Sequence, residues 1–186
     1  MKHVMIDIET LSLQPNAQVL SIGACVFDSA GNILDELELF PRFVEGRHIS
    51  TDTVLWWLQQ NDAARMSIVS PERMPRKDVH HQLEQFLLSA GNEQLEPQDD
   101  GTPVARFTPP PIWAIGPQFD MVVLQSYFTD LPSLWGYRQI NDARTLRQFY
   151  KGEWHRPRVE HSALADAVAQ ATWTAEAMAY IGKALK

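Results

Sequence analysis

Hydrophobic and polar positions along the chain change period several times, and each change predicts an element. His3 to Glu9 begins apolar and then alternates through Ile6-Asp7-Ile8-Glu9, which reads as an extended strand with alternate side chains on opposite faces. Gln18 to Phe27 and Asn32 to Phe40 read as two more strands, and Asp28-Ser29-Ala30-Gly31 supplies the turn between them. These three make an antiparallel meander. Ser50, Thr51 and Asp52 offer N-caps for a helix carrying Val54-Leu55-Trp56-Trp57-Leu58, and a second short helix is expected around Ala63 to Met66.

Val79, Leu83, Phe86 and Leu87 recur at helical spacing, with Gly91 as the stop. His80 and His81 lie beside that stripe and read as surface residues. From Gly91 to Pro111 the pattern dissolves into prolines, glycines and four acids, so a mobile loop over about 91–111 is expected, with a substrate lid as the functional alternative. Ile112 to Ile115 is a short buried strand, and Phe119 to Phe128 opens a helix whose first turn holds Asp120. The last helix starts near Ser162, with Leu164, Val168, Ala171, Ala175 and Met178 as its core stripe. Strands followed by helices and a further buried strand predict an α/β chain built on a mixed sheet.

Composition narrows this further. A length of 186 residues suits one sizeable core, so a single domain spanning 1–186 is expected, and 45% hydrophobic with 21% charged residues is globular usage. No stretch reaches the roughly 20 apolar residues a bilayer span requires, and the N-terminus lacks a signal-like core, so a cytoplasmic protein with no membrane partner is expected. Cys25, the only cysteine, excludes an intrachain disulfide and reads as a core residue. The net charge of -7 appears unsuited to a nucleic-acid partner. Its distribution changes that picture. Arg138, Arg144, Arg147, Lys151, Arg156 and Arg158 face only Asp142 and Glu153 in one stretch, while acids gather at Glu93 to Asp100 and around the chemistry described next.

Asp7 and Glu9 project from one face of the first strand. Two carboxylates that close repel unless a cation lies between them, and a divalent ion of the Mg²⁺ or Mn²⁺ kind prefers such oxygen ligands. Alone, the pair also fits the wet face of any surface strand. Two further segments break the tie: Gly116-Pro117-Gln118-Phe119-Asp120 after the buried strand, and His161-Ser162-Ala163-Leu164-Ala165-Asp166 before the final helix. The order Asp, Glu, Asp, His, Asp, with His five residues before the last Asp, resembles the DEDDh 3′ to 5′ exonucleases of the DnaQ-like, ribonuclease H-like superfamily. Ile49 to Gln60, with its tryptophan pair, is similar to a bacterial and phage subgroup of exoribonucleases and exonuclease VIII-like proteins.

The resemblance implies a ribonuclease H-like mixed sheet, antiparallel meander plus parallel strands, flanked by helices. It further implies two divalent cations, Mg²⁺ or Mn²⁺, held by Asp7, Glu9, Asp120 and Asp166, with His161 as general base. On one helix His161 and Asp166 would stand about 140° apart, so His161 must lie on the loop before a helix capped by Ser162. Thr10 and Leu13 match positions that touch the terminal nucleotide. Phe119 is a candidate packing surface there, and Arg144 a phosphate contact. Trp56 and Trp57 cannot both face one core; Trp57 is carried as the substrate-facing member, although the sequence does not separate the two.

The implied reaction is hydrolysis of terminal phosphodiesters of RNA or DNA to nucleoside 5′-monophosphates. The implied partner is a nucleic acid with a free 3′ end, and related enzymes often form homodimers. RNA is the slightly favoured polymer. A non-catalytic module that binds nucleic-acid ends and a ribonuclease H-type endonuclease are the alternatives, though neither gives as much reason for His161.

Overall fold

A computed structural model describes residues 1–69, 72–97, 103–157 and 159–184. Strands β1 (Lys2–Thr10), β2 (Val19–Asp28) and β3 (Ile33–Leu39) form the expected antiparallel meander. Three helices follow: α1 (Thr51–Gln59), α2 (Asp62–Ile68) and α3 (Arg76–Ser89). Ser50 caps α1 by accepting from the Thr53 amide, and Asn61 caps α2 through Ala64.

The aperiodic segment after α3 contains two paired strands, β4 (Asn92–Pro97) and β5 (Pro103–Thr108). This corrects the reading of 91–111 as a loop. Pro97 and Pro103 face each other at the far end of the ladder and so bound the strands without interrupting them. Asp99 and Asp100, counted in the acidic stretch, lie outside the described residues, as does Arg158.

The short strand β6 (Ile112–Ala114) leads into α4 (Pro117–Tyr127); β7 (Ile140–Asp142) runs directly into α5 (Ala143–Leu146). The chain finishes in α6 (Ala163–Ala184). The main sheet has the order β3-β2-β1-β6-β7, with β6 parallel to β1 and β7 parallel to β6. Among the described residues no helix is long and apolar enough to cross a membrane.

Strand periodicity divides the core. Val4, Ile6 and Ile8 of β1 join Val79, Leu83, Met121 and Leu124 on the α3 and α4 side. Met5 faces the other way, with Cys25 and Phe27, against Ala167, Ala171 and Ala175 of α6. Asp7 and Glu9 share the face of Met5, so the acid pair extends the surface that α6 covers. Cys25 is fully buried, which pushes its thiol up to about 12.

Two expectations need correction. His80 is buried, its Nε2 lying 2.8 Å from the Pro132 carbonyl oxygen and its ring edge-on to Phe128, so the loop after α4 supplies a partner that periodicity could not reveal. On α6, Ala171 and Ala175 of the expected stripe are buried against the sheet with Val168 and Met178 partly buried beside them, but Leu164 is only half-buried, whereas Ala163 and Ala167 are fully buried. Close approach of helix and sheet selects these smaller side chains. Gly23 stands beside Asp7 on one flank and Glu38 on the other, and a Cβ there would lie 2.1 Å from the Ala163 carbonyl carbon and Leu164 nitrogen.

Candidate active site

The carboxylates converge because three elements end at one place. β1 outruns its parallel neighbour, since β6 pairs only with Val4 and Met5, and the edge beside Asp7, Ile8 and Glu9 is left to α4. Gly116 turns the chain there in the left-handed region (φ 85°), Pro117 opens α4, and Asp120 in the first turn accepts from the Ile8 amide and its own. Asp120 is buried, whereas Asp7 and Glu9 are half-buried.

From the other side, α6 delivers Asp166. Its start rests on Gly23 and is tied to β3, where Glu38 accepts from the Ser162 hydroxyl at 3.4 Å and from the Leu164 amide. Sequence reasoning missed Glu38: its role depends on a contact across 124 positions. His161 lies immediately before the helix, as the angular argument required, and adopts φ 63°, the only positive φ of a non-glycine residue among those described. Ligand atoms of Glu9, His161 and Asp166 all lie within 4.8 Å of one another.

Burial raises all four carboxyls above the usual range, and repulsion from neighbouring acids of the cluster adds to it at Asp7 and Glu9. Asp7 is pushed well above the usual carboxylate range, first by burial and then by Asp120 and Glu9, against a hydrogen bond from Gln170. Burial, Asp166 and Asp120 lift Glu9 to about 8. Asp120 rises to about 7 by burial, resisted by the two amides and by Arg144, and Asp166 to about 6, resisted by His161. Four acids forced toward neutrality with so little positive charge nearby form a donor set for hard divalent cations, which would restore their ionised forms. Asp7, Glu9, Asp120 and Asp166 therefore fit the ions that the sequence pattern implies.

A cleft of about 380 Å³ meets this cluster at Glu9 and is lined by Ile8, Thr10, Leu13, Asp52, Thr53, Trp56, Trp57 and Phe119. Thr10 is buried, its hydroxyl donating to the Ser12 carbonyl, and Leu13 is 78% exposed at the cleft. Phe119 is half-buried and serves both cleft and core. Trp57 is buried and donates Nε1–H to the Thr10 carbonyl at 3.0 Å, so it forms the wall. Trp56 keeps 41% of its surface exposed and meets His161 edge-on at 4.8 Å between ring centroids. Of the pair, Trp56 therefore offers the free ring surface. Arg144 lies at the rim by Asp120, over Gly116, with Nη2 donating to the Ile115 carbonyl at 3.2 Å.

The 3′-5′ exoribonuclease Rv2179c-like domain family matches residues 2–178. No curated protein sequence matches significantly. Solved structures share the fold. The nuclease domain of 3′hExo, a DEDDh family member bound to rAMP, is 11% identical with a TM-score of 0.63, the match covering 96% of this chain and 92% of that one. The zinc-bound complex of E. coli ExoI with ssDNA is 16% identical with a TM-score of 0.59, covering all of this chain and 41% of that one. This chain thus spans about two fifths of that exonuclease I. Exonuclease X in complex with 5′ overhanging duplex DNA is 17% identical, with a TM-score of 0.54 and coverage of 96% and 92%.

Proposed function

The chain belongs to the 3′-5′ exoribonuclease Rv2179c-like domain family, a group of 3′–5′ exonucleases, and from that premise we propose that it shortens RNA from the 3′ end in a divalent-cation-dependent hydrolysis. Asp7, Glu9, Asp120 and Asp166 would hold the cations, with His161 as the general base. The observation that carries this reading is the convergence of Glu9, His161 and Asp166 ligand atoms within 4.8 Å of one another, beside two further acids, Asp7 and Asp120, whose carboxyls burial raises above the usual range.

When bound, the cations would polarise the scissile phosphate and acidify an adjacent water. The protein's own groups do the rest. His161 takes a proton from the attacking water, as a positioned imidazole does in general base catalysis. The water oxygen bonds to phosphorus as the bond to the preceding nucleotide's 3′ oxygen breaks, leaving a nucleoside 5′-monophosphate and a strand with a new 3′-hydroxyl. Trp56 stacks the terminal base while Leu13 and Thr10 border it, and Trp57 holds the cleft wall against β1. Arg144 meets a phosphate at the rim. RNA is favoured over DNA by the family's description.

Digestion of matched single- and double-stranded RNA and DNA, end-labelled, with Mg²⁺ or Mn²⁺ against a chelator, tests the proposal. Stepwise loss of 3′ nucleotides, fastest on RNA and abolished by chelator, is expected. Cleavage of a closed circle would indicate an endonuclease, and binding without turnover a recognition module. Asp7→Asn should reduce activity to background while the metal-free fold gains stability at pH 8, because folding no longer has to protonate or desolvate a carboxylate there; full activity in that variant would sink the cation site.

A further inference from the structure

Gln170 lies four residues after Asp166 on α6, one turn on and on the same face, which brings it beneath the acid pair of β1. It is 7% exposed, and its Nε2–H donates to Asp7 Oδ1 at 2.8 Å. Its other amide atom has no such partner: Oε1 is buried and accepts no hydrogen bond among the described residues. An unpaired buried carbonyl costs free energy, and apolar side chains of similar size would avoid it. The amide also has only one workable orientation, since turning Oε1 toward the carboxylate would set two acceptors against each other.

We propose that Gln170 is a positioning residue of the cation site: it occupies one lone pair of Asp7 with a neutral donor, fixes the carboxylate against α6, and leaves its other lone pairs and its charge for the metal. This rests on the cation-dependent reading above. The chemistry explains why an amide stands here. Lysine or arginine would hold Asp7 more strongly but would supply the counter-charge itself and displace the cation. Leucine or methionine would fill the volume but leave the carboxylate free to rotate. Gln170 also links two ligands mechanically, because the helix that carries Asp166 reaches across to grip Asp7.

Mn²⁺ titration of the full chain by calorimetry, with metal-free and Mn²⁺-loaded melting temperatures, separates this role from simple packing. Gln170→Leu should leave the metal-free melting temperature close to wild type, since it removes an orphaned carbonyl together with one hydrogen bond to Asp7, while weakening Mn²⁺ affinity by about 10–100-fold, the usual scale for a residue that orients a metal ligand. At saturating Mn²⁺ its kcat should fall with KM for the oligonucleotide unchanged. Gln170→Lys should raise the metal-free melting temperature at pH 8 and abolish the further rise that Mn²⁺ produces. Thr174→Val, which removes another buried unpaired polar atom one turn further along α6, should leave Mn²⁺ affinity unchanged.

Unchanged Mn²⁺ affinity in Gln170→Leu, or an intact Mn²⁺ response in Gln170→Lys, overturns the assignment. Should the leucine variant not fold, the lysine variant decides. If the wild-type protein binds no Mn²⁺, the cation reading fails and this one with it; if the wild type binds and the Gln170 variants bind equally well, only the role of Gln170 fails.

Discussion

The four acids and the histidine of the cluster are held in opposite ways. Asp7, Glu9, Asp120 and Asp166 stand on regular elements, a central strand and the first turns of two helices, and their positions are over-determined by sheet register and helix packing. His161 stands on a single left-handed residue between an irregular segment and α6, with Trp56 and Trp57 against its ring. Groups that share a cation need fixed mutual distances, which regular elements supply, whereas a left-handed non-glycine backbone persists only where its surroundings hold it, here the two tryptophan rings. In the proposed mechanism the contrast divides labour: an acid frame set by register and helix packing, and a base held in place by its neighbours.

Among variants that separate the two halves, the one that removes the base alone should show the largest effect. His161→Ala is expected to lower turnover by about 10²–10⁴-fold while Mn²⁺ binding is nearly retained. His161→Gly should be equally slow but more stable than the alanine variant by about 1 kcal/mol, because glycine accepts a positive φ without penalty. Equal stability in the two variants, measured by urea denaturation, would show that no strain is stored there.

Gly23→Ala should break both halves at once. Its methyl group cannot coexist with the present start of α6, so a loss of about 1–3 kcal/mol is expected together with a drop in activity, as His161 and Asp166 move away from Asp7 and Glu9 together. Retained activity with wild-type stability would show that the helix start tolerates displacement. Trp56→Ala should weaken oligonucleotide binding by about 1–3 kcal/mol, the scale of one stacked base, and lower the melting temperature only modestly, because the ring meets Trp57 and His161 edge-on but keeps 41% of its surface exposed. Should binding hold and only turnover fall, Trp56 acts by steadying His161.

The mildest probe is pH. Carboxyl groups raised in the folded state favour folding while protonated; that contribution is complete below the ordinary carboxylate range and is lost as pH rises through about 6 for Asp166, 7 for Asp120 and 8 for Glu9. The metal-free melting temperature should therefore fall between pH 5 and pH 8.5, and saturating Mn²⁺ should offset the fall. A flat profile without metal would mean that burial does not raise these carboxyls in the folded protein.

Much of this was legible in the chain. Period-two alternation placed Asp7 and Glu9 on one face, and the five-residue spacing of His161 and Asp166 required the histidine to precede its helix. Other features were not. The sequence does not separate Trp56 from Trp57; both line the cleft, but the Trp57 indole N–H is taken by the Thr10 carbonyl and the more exposed ring is that of Trp56. The hairpin at 92–108 was hidden because prolines mark strand ends as readily as loops. Gln170 and Glu38 could not be found at all: a lone glutamine in an alanine-rich helix and a glutamate on an outer strand carry no local sign of the partners they reach.

The sequence by itself determined the chemistry available, because residue type and short-range period decide which side chains share a strand face or a helix turn. Only the tertiary structure decided which of them meet. Close approach of α6 to β2 at Gly23, the edge that β6 leaves open for Asp120, and the choice between Trp56 and Trp57 depend on contacts between segments far apart in the chain, and local periodicity carries no information about those.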